Sequence, residues 1–129
     1  MLGAESYPIT VAELWSYVAD AEHIFGEERH DRLKEILAFN PEHGELIKGS
    51  GGVRHFIWQI ADGGDDEVQV VYFFRDLEMP LFLIAICFEP FEEFDADFCA
   101  ELTTLTAELV QEHQRQKARL MQAKGQNSA

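Results

Sequence analysis

The sequence has few basic residues and no apolar run long enough to cross a membrane. Ten Lys and Arg stand against 24 Asp and Glu in 129 residues, a formal net charge of -14. A surface of this charge repels phosphate backbones, so we expect no DNA partner. The longest apolar run, residues 79–88, is well short of the roughly 20 residues of a membrane-spanning helix. We therefore expect a buried strand there, and no membrane partner.

Cysteine is also scarce, and the N-terminal residues lack the basic and apolar regions of a secretory signal. Without a secretory signal, Cys87 and Cys99 are expected to be reduced thiols. The chain is 47% hydrophobic, enough for one core, and its length suits one domain. We predict a cytoplasmic protein with a single domain over residues 1–123 and a flexible C-terminal tail at 124–129.

The N-terminal third has helical patterning. Thr10 and Glu13 match a capping box, and apolar residues at helical spacing follow as far as about Phe25. A second helix is expected over residues 28–39, because Asn40-Pro41 ends the helical pattern. Gly26 lies between the two, which predicts an N-terminal helical hairpin.

The middle of the chain changes to strand patterning. Residues 54–60, 68–75 and 81–88 are rich in β-formers and separated by short turns, which predicts an antiparallel meander. The second of these strands is apolar on both faces, as in a central strand. A stripe at three- and four-residue steps predicts a C-terminal helix, formed by Phe98, Leu102, Leu105 and Leu109. We expect an α+β fold with helices on one face of a small antiparallel sheet of three to four strands.

The negative charge is concentrated in one segment. Residues 61–101 contain twelve acidic residues and one basic residue, Arg75, which is a net charge of -11 out of -14. Residues 112–124 contain four basic residues and one acidic residue. The acidity therefore belongs to the turns of the predicted sheet and to the approach to the last helix.

Motifs between Leu33 and Leu109 resemble the RelE/ParE superfamily, particularly its HigB-like toxins. Asn40-Pro41-x-x-Gly44 is similar to the turn that ends a helix in that family. The sequence Gly-Ser-Gly-Gly-Val-Arg at residues 49–54 resembles the family's Gly-Thr-Gly-Gly-Leu-Arg segment, which opens the first core strand. Residues 68–73 and 82–86 resemble its next two strands.

The resemblance implies a RelE-like fold and a toxin of a bacterial type II toxin–antitoxin pair. Such toxins cut mRNA, usually in the ribosome, by activating a ribose 2′-hydroxyl against the adjacent phosphate. This chemistry needs cations where negative charge develops, and a group that moves protons. On this resemblance, Arg54 and Tyr72 carry over as candidate catalytic residues. His55, as a candidate general base, and Arg75, as a remaining cation, complete the set.

Three cationic positions of the family are changed in this chain. The family's Lys- and Gly-rich turn is here Asp-Gly-Gly-Asp-Asp, at residues 62–66. The strand arginine is replaced by Gln69, and the strand-end lysine by Glu89 before Pro90. Each lost cation removes roughly a few kcal/mol of transition-state stabilisation. We therefore expect that ribonuclease activity has been lost.

The same residues have structural interpretations. Arg54 is expected to pair with a nearby acid, Tyr72 to be a half-buried strand aromatic, and residues 49–52 to form a turn rather than a phosphate cradle. The acidic residues 62–67 lack the spacing of an EF-hand. The five histidines are scattered without an HExxH pair. We expect no metal and no cofactor.

Three functions remain open. The first is a RelE/HigB-like protein without ribonuclease activity that acts by binding a protein, either a cognate antitoxin or another partner. The second is an active ribosome-dependent mRNA endoribonuclease, for which the ribosome and mRNA would be partners. The third is a small-molecule or cation-binding domain that uses the acidic face. An open strand edge would also allow a homodimer.

Overall fold

The computed structural model describes residues 8–61, 63–88 and 95–127, with side chains described as far as Ala123. Asp62, Glu89 and Pro90, to which predictions were attached, lie outside the described residues. None of the helices in the described ranges is long and apolar enough to cross a membrane. The elements in chain order are β1 (Val11–Glu13), α1 (Trp15–Ile24), α2 (Glu27–Phe39), β2 (Glu45–Leu46), β3 (Val53–Gln59), β4 (Glu67–Phe73), β5 (Leu81–Cys87) and α3 (Ala96–Asn127).

The predicted α+β class is confirmed, and so is the antiparallel β3-β4-β5 meander. The sheet has five strands in the order β1-β5-β4-β3-β2, not three to four. The two additional strands lie at its edges and are two or three residues long. β1 runs parallel to β5, so the sheet is mixed rather than wholly antiparallel. Strands this short carry too few alternating residues to be recognised by their periodicity.

The predicted capping box is wrong, because the chain is extended where the first helix was expected to begin. The Thr10 carbonyl accepts a hydrogen bond from the Leu81 amide, and the Leu14 amide donates to the Leu83 carbonyl, each at 2.9 Å. The edge of β5 thus binds the backbone that a helical turn would have used. α1 starts at Trp15, after an N-cap residue, Leu14, that makes no side-chain capping bond.

Helices cover both faces of the sheet, not one face as predicted. α1 and α2 pack on the face that carries Phe56, Val70 and Tyr72. α3 packs on the opposite face, where Leu102 lies in one cluster with Val53, Val71, Phe73 and Ile84. Because β4 is buried on both faces, each face needs its own cover of apolar side chains.

The glycine-rich loop between β2 and β3 packs closely against α3. The Ser50 hydroxyl is buried, donates to the Ile47 carbonyl at 2.6 Å and accepts from the Val53 amide at 3.0 Å. The Thr103 hydroxyl of α3 donates to the Gly49 carbonyl at 3.1 Å. A Cβ atom on Gly51 would lie 2.5 Å from Thr106 Oγ1. The loop is therefore built to bring its backbone onto the helix.

Two glycines of this loop provide a matched test of that packing. Gly49 and Gly51 both have positive φ, 77° and 81°, but a Cβ atom on Gly49 would meet nothing within 4 Å. We expect Gly49→Ala to lower the free energy of unfolding by about 1 kcal/mol through backbone strain alone. Gly51→Ala adds the clash with α3, so its loss should be about 2–4 kcal/mol in urea unfolding.

A double-mutant cycle separates the clash from the strain. Thr106→Ala removes the Oγ1 atom nearest to the new methyl group, so it should cost less in the Gly51→Ala background than in the wild type. Equal losses for the two glycine variants, or an additive cycle, would show that contact with α3 does not determine the glycine at position 51.

Candidate protein-binding surface

Tyr72 and Arg54 hold the turn that follows α2. The two residues are directly opposite each other on β4 and β3. The Tyr72 hydroxyl is buried, accepts from the Gly44 amide at 2.7 Å and donates to the Pro41 carbonyl at 2.8 Å. Arg54 Nη1 donates to the Gly44 carbonyl at 2.7 Å, and Nη2 lies 3.6 Å from the Glu42 carboxylate. The expected pairing of Arg54 with an acid is thus present.

These contacts explain the spacing of the Asn-Pro-x-x-Gly motif. A Cβ atom on Gly44 would lie 2.7 Å from the His55 carbonyl and 2.9 Å from the Tyr72 ring, so the turn can approach the sheet only with glycine there. Burial raises the pKa of the Tyr72 hydroxyl, opposed by the Gly44 amide and by Arg54. The phenol therefore stays neutral near pH 7 and serves as a structural hydrogen-bonding group. It is fully buried rather than half-buried as predicted.

His55 faces the other side of the sheet from Arg54 and Tyr72, because successive strand residues alternate. Its Nδ1 atom is 2.9 Å from Oε1 of Gln69, to which the ring donates in the tautomer with hydrogen on Nδ1. Gln69 is one of the few buried polar residues in the described part of the chain, at 9% exposure. The pair therefore forms a polar contact across the β3–β4 ladder.

Arg75 lies beyond the end of β4. It borders an open groove of about 560 Å³ between the sheet and α3, whose apolar lining includes Leu46, Phe73 and Val110. Its Nε atom is 4.0 Å from the Asp76 carboxylate, and both side chains are nearly half exposed. Of the four candidate catalytic residues, the structure thus brings Arg54 and Tyr72 together and places His55 and Arg75 elsewhere.

The sheet face that carries His55 has an exposed apolar centre. Ile57 is 56% exposed on β3, and Phe88, directly after β5, is 58% exposed. Two adjoining hollows of about 330 and 270 Å³ share Ile57 and Gln69 as lining residues. We call this region the Ile57 surface. Its lining includes Glu45, His55, Ile57, Asp65, Asp66, Glu67, Gln69 and Phe88.

The Ile57 surface is exposed because neither α3 nor β2 reaches it. The apolar side chains of α3 pack on Val53, Val71 and Phe73, toward the other end of the strands. Within the described residues, β2 pairs only with Arg54 and His55, so no strand of that part of the chain pairs with the outer edge of β3 from residue 56 onward. Sequence reasoning missed this surface. The available signal was an isoleucine between His55 and Gln59 on the polar face of β3.

The surface is electrostatically negative. The residues lining its two hollows include Glu45, Asp65, Asp66 and Glu67, and none of these lining residues is Lys or Arg. Asp65, Asp66 and Glu67 are all exposed, in agreement with the predicted solvated turn. A negative field around exposed apolar side chains favours a ligand that is both cationic and apolar.

The described residues contain no group of three or more His, Cys, Asp or Glu placed to hold a metal ion. Neither Cys87 nor Cys99 forms a disulfide, and both are half-buried. Burial, with a smaller effect of Asp20, raises the pKa of the Cys87 thiol. The thiol form is therefore favoured at neutral pH, and Cys87 is a weak nucleophile.

Two buried tyrosines allow a matched test of the role assigned to Tyr72. Tyr72→Phe leaves the Gly44 amide and the Pro41 carbonyl without their partner, so we expect a loss of about 1–3 kcal/mol in the free energy of unfolding. Tyr17 is equally buried, but its hydroxyl has no hydrogen-bond partner in the described structure. Tyr17→Phe should therefore be neutral or slightly stabilising. Similar losses for both variants in urea unfolding would contradict the role of the Tyr72 hydroxyl.

Comparison with known proteins gives no identification. No protein-family model matches the chain, and no curated protein matches it significantly. The resemblance to the RelE/ParE superfamily therefore stays a prediction that rests on the motifs themselves. A function is therefore inferred from the fold and from the geometry of the Ile57 surface.

Proposed function

We propose that this chain is a RelE/HigB-like protein without ribonuclease activity, which acts in the cytoplasm by binding a basic protein partner through the Ile57 surface. The observation that carries the proposal is a pair of exposed apolar side chains, Ile57 and Phe88, within an acidic part of the sheet face. Exposed apolar side chains bordered by charge are typical of protein interaction sites.

The absence of cations from the lining of this surface argues against RNA as its ligand. Phosphate binding and the transition state of RNA cleavage both require positive charge close to the phosphate. The Arg54 guanidinium lies on the opposite face and is bonded to the turn at residues 42–44. His55 Nδ1 lies 2.9 Å from Oε1 of Gln69, which is a neutral side-chain amide. These contacts support the loss of ribonuclease activity.

The apolar side chains support a protein rather than a small cation as the partner. Each hollow beside Ile57 has the volume of one or a few side chains, about 270–330 Å³. An aliphatic side chain that enters such a hollow would remove Ile57 and Phe88 from water, which contributes about 25 cal/mol for each Å² of apolar area. Lys or Arg residues beside that side chain would face Asp65, Asp66 and Glu67. A cognate antitoxin with a basic, aliphatic segment is the partner we expect.

A pair of designed peptides tests this chemistry. The first is an amphipathic helical peptide with Leu along one face and Lys along the rest of its surface. The second has Ser at every Leu position and the same charge. By isothermal titration calorimetry we expect the Leu peptide to bind at least tenfold more tightly than the Ser peptide. Ile57→Ser together with Phe88→Ser should abolish this difference, because the apolar contact is lost.

Matched charge variants locate the binding site. Asp65→Asn, Asp66→Asn and Glu67→Gln together should weaken the Leu peptide about tenfold at low salt. The control removes three charges from the acidic face of α2, with Glu27→Gln, Glu28→Gln and Glu35→Gln, and should have a small effect. Equal binding of both peptides, or a larger effect of the α2 variant, would overturn the proposed site.

The loss of ribonuclease activity has its own test. Purified protein added to translating ribosomes with a defined mRNA should leave that mRNA intact, as judged by primer extension. Cleavage that disappears with His55→Ala or Arg75→Ala would instead support the ribonuclease alternative. Circular dichroism of each variant would confirm that it is folded, so that a loss of cleavage reports the removed side chain and not unfolding.

A further inference from the structure

The C-terminal half of α3 extends beyond the sheet. Every residue from Gln114 to Ala123 is exposed, including Leu120 at 68% and Met121 at 65%. From Gln111 to Asn127 the helix is about 24 Å long at 1.5 Å per residue. A helix end on which every described side chain is exposed, two of them large and apolar, presents an apolar face without a partner among the described residues.

This part of the helix has the opposite charge to the rest of the chain. Residues 112–124 carry four basic residues and one acidic residue, a net charge of +3 in a chain whose total is -14. The remainder of the chain therefore has a net charge of -17. A basic segment on so acidic a protein is attracted to other copies of the same molecule.

The basic and apolar groups share one side of the helix. Lys117 lies three and four residues before Leu120 and Met121, so their side chains lie on one face, which we call the α3 tip face. Lys117 is only 3.9 Å from the exposed Glu78 carboxylate, a weak contact in water. Arg115, by comparison, is bonded to Glu112 of its own helix at 2.7 Å. Lys117 can therefore exchange its partner at little cost.

The α3 tip face has the chemistry that the Ile57 surface requires. Leu120 and Met121 are apolar and lie beside the basic Lys117. They are complementary to Ile57 and Phe88, which are apolar and lie beside acidic residues 65–67. α3 is continuous from Ala96 to Asn127, so its end cannot fold back onto the sheet of its own chain without breaking the helix. Within the residues that the structure describes, the α3 tip face therefore does not meet the Ile57 surface of its own chain.

We propose that a second copy of this chain docks its α3 tip face on the Ile57 surface. This inference rests on the proposed function and makes a second copy the occupant of that site in the absence of the basic partner. A two-fold arrangement allows each copy to donate its helix end to the other, which gives two identical contacts and a closed dimer.

Sedimentation of the full chain over a range of concentrations tests the proposal. We expect a reversible dimer at about 0.15 M salt, where the repulsion between two copies of net charge -14 is screened beyond about 8 Å while the short-range contacts remain. Leu120→Ser with Met121→Ser should weaken the dimer at least tenfold, and so should Ile57→Ser with Phe88→Ser. Trp15→Ser, which removes a side chain that is 81% exposed on α1, should leave the dimer unchanged.

Mixing the two weakened variants distinguishes a direct contact from an indirect effect. One variant retains an intact Ile57 surface and the other an intact α3 tip face, so the mixture should form a heterodimer through one contact. A dimer that survives in both variants uses another face, such as the open edge of β3, and overturns the proposal. A monomeric wild type that still binds the Lys/Leu peptide at the Ile57 surface also overturns it, but leaves the proposed function standing. Failure of the peptide to bind as well would remove both.

Discussion

The burial of β4 on both faces is the constraint on which this fold depends. Every residue of β4 from Val68 to Phe73 is buried, so the chain must place apolar side chains on each side of the strand. α1 and α2 cover one side, and the first half of α3 covers the other. The cover is unequal, because α3 lies over Val71 and Phe73 and leaves Gln69 at the margin. The exposed Ile57 surface follows from that offset.

The glycine and proline motifs act within the same constraint. The Asn-Pro-x-x-Gly turn approaches the sheet and is bonded to Tyr72 and Arg54. The glycine-rich loop approaches α3 and is bonded to Thr103. Both motifs therefore connect layers of the fold, and two of the four candidate catalytic residues have structural partners.

The strong periodic signals in the sequence predicted the main elements correctly. The runs of β-forming residues in β3, β4 and β5 and the stripe from Phe98 to Leu109 each include several residues that pack in the two core clusters. The predictions failed where a distant backbone decided the local structure. Thr10 and Glu13 suited a helix cap, but the edge of β5 binds residues 10–14 as a strand. Such pairing depends on a segment some 70 residues away and leaves no local pattern.

The candidate site was predictable only in its charge. The concentration of acidic residues between 61 and 101 pointed to the sheet turns. The position of Ile57 between His55 and Gln59 was only a weak signal of its exposure, because that exposure depends on how far α3 extends over the sheet. Amide chemical shifts of the isotope-labelled protein, recorded with and without the Lys/Leu peptide, test the central claim most directly. The account predicts perturbations at residues 55–57, 65–69 and 88 that are absent with the Ser peptide. Perturbations centred on α2, or identical changes with both peptides, would contradict it.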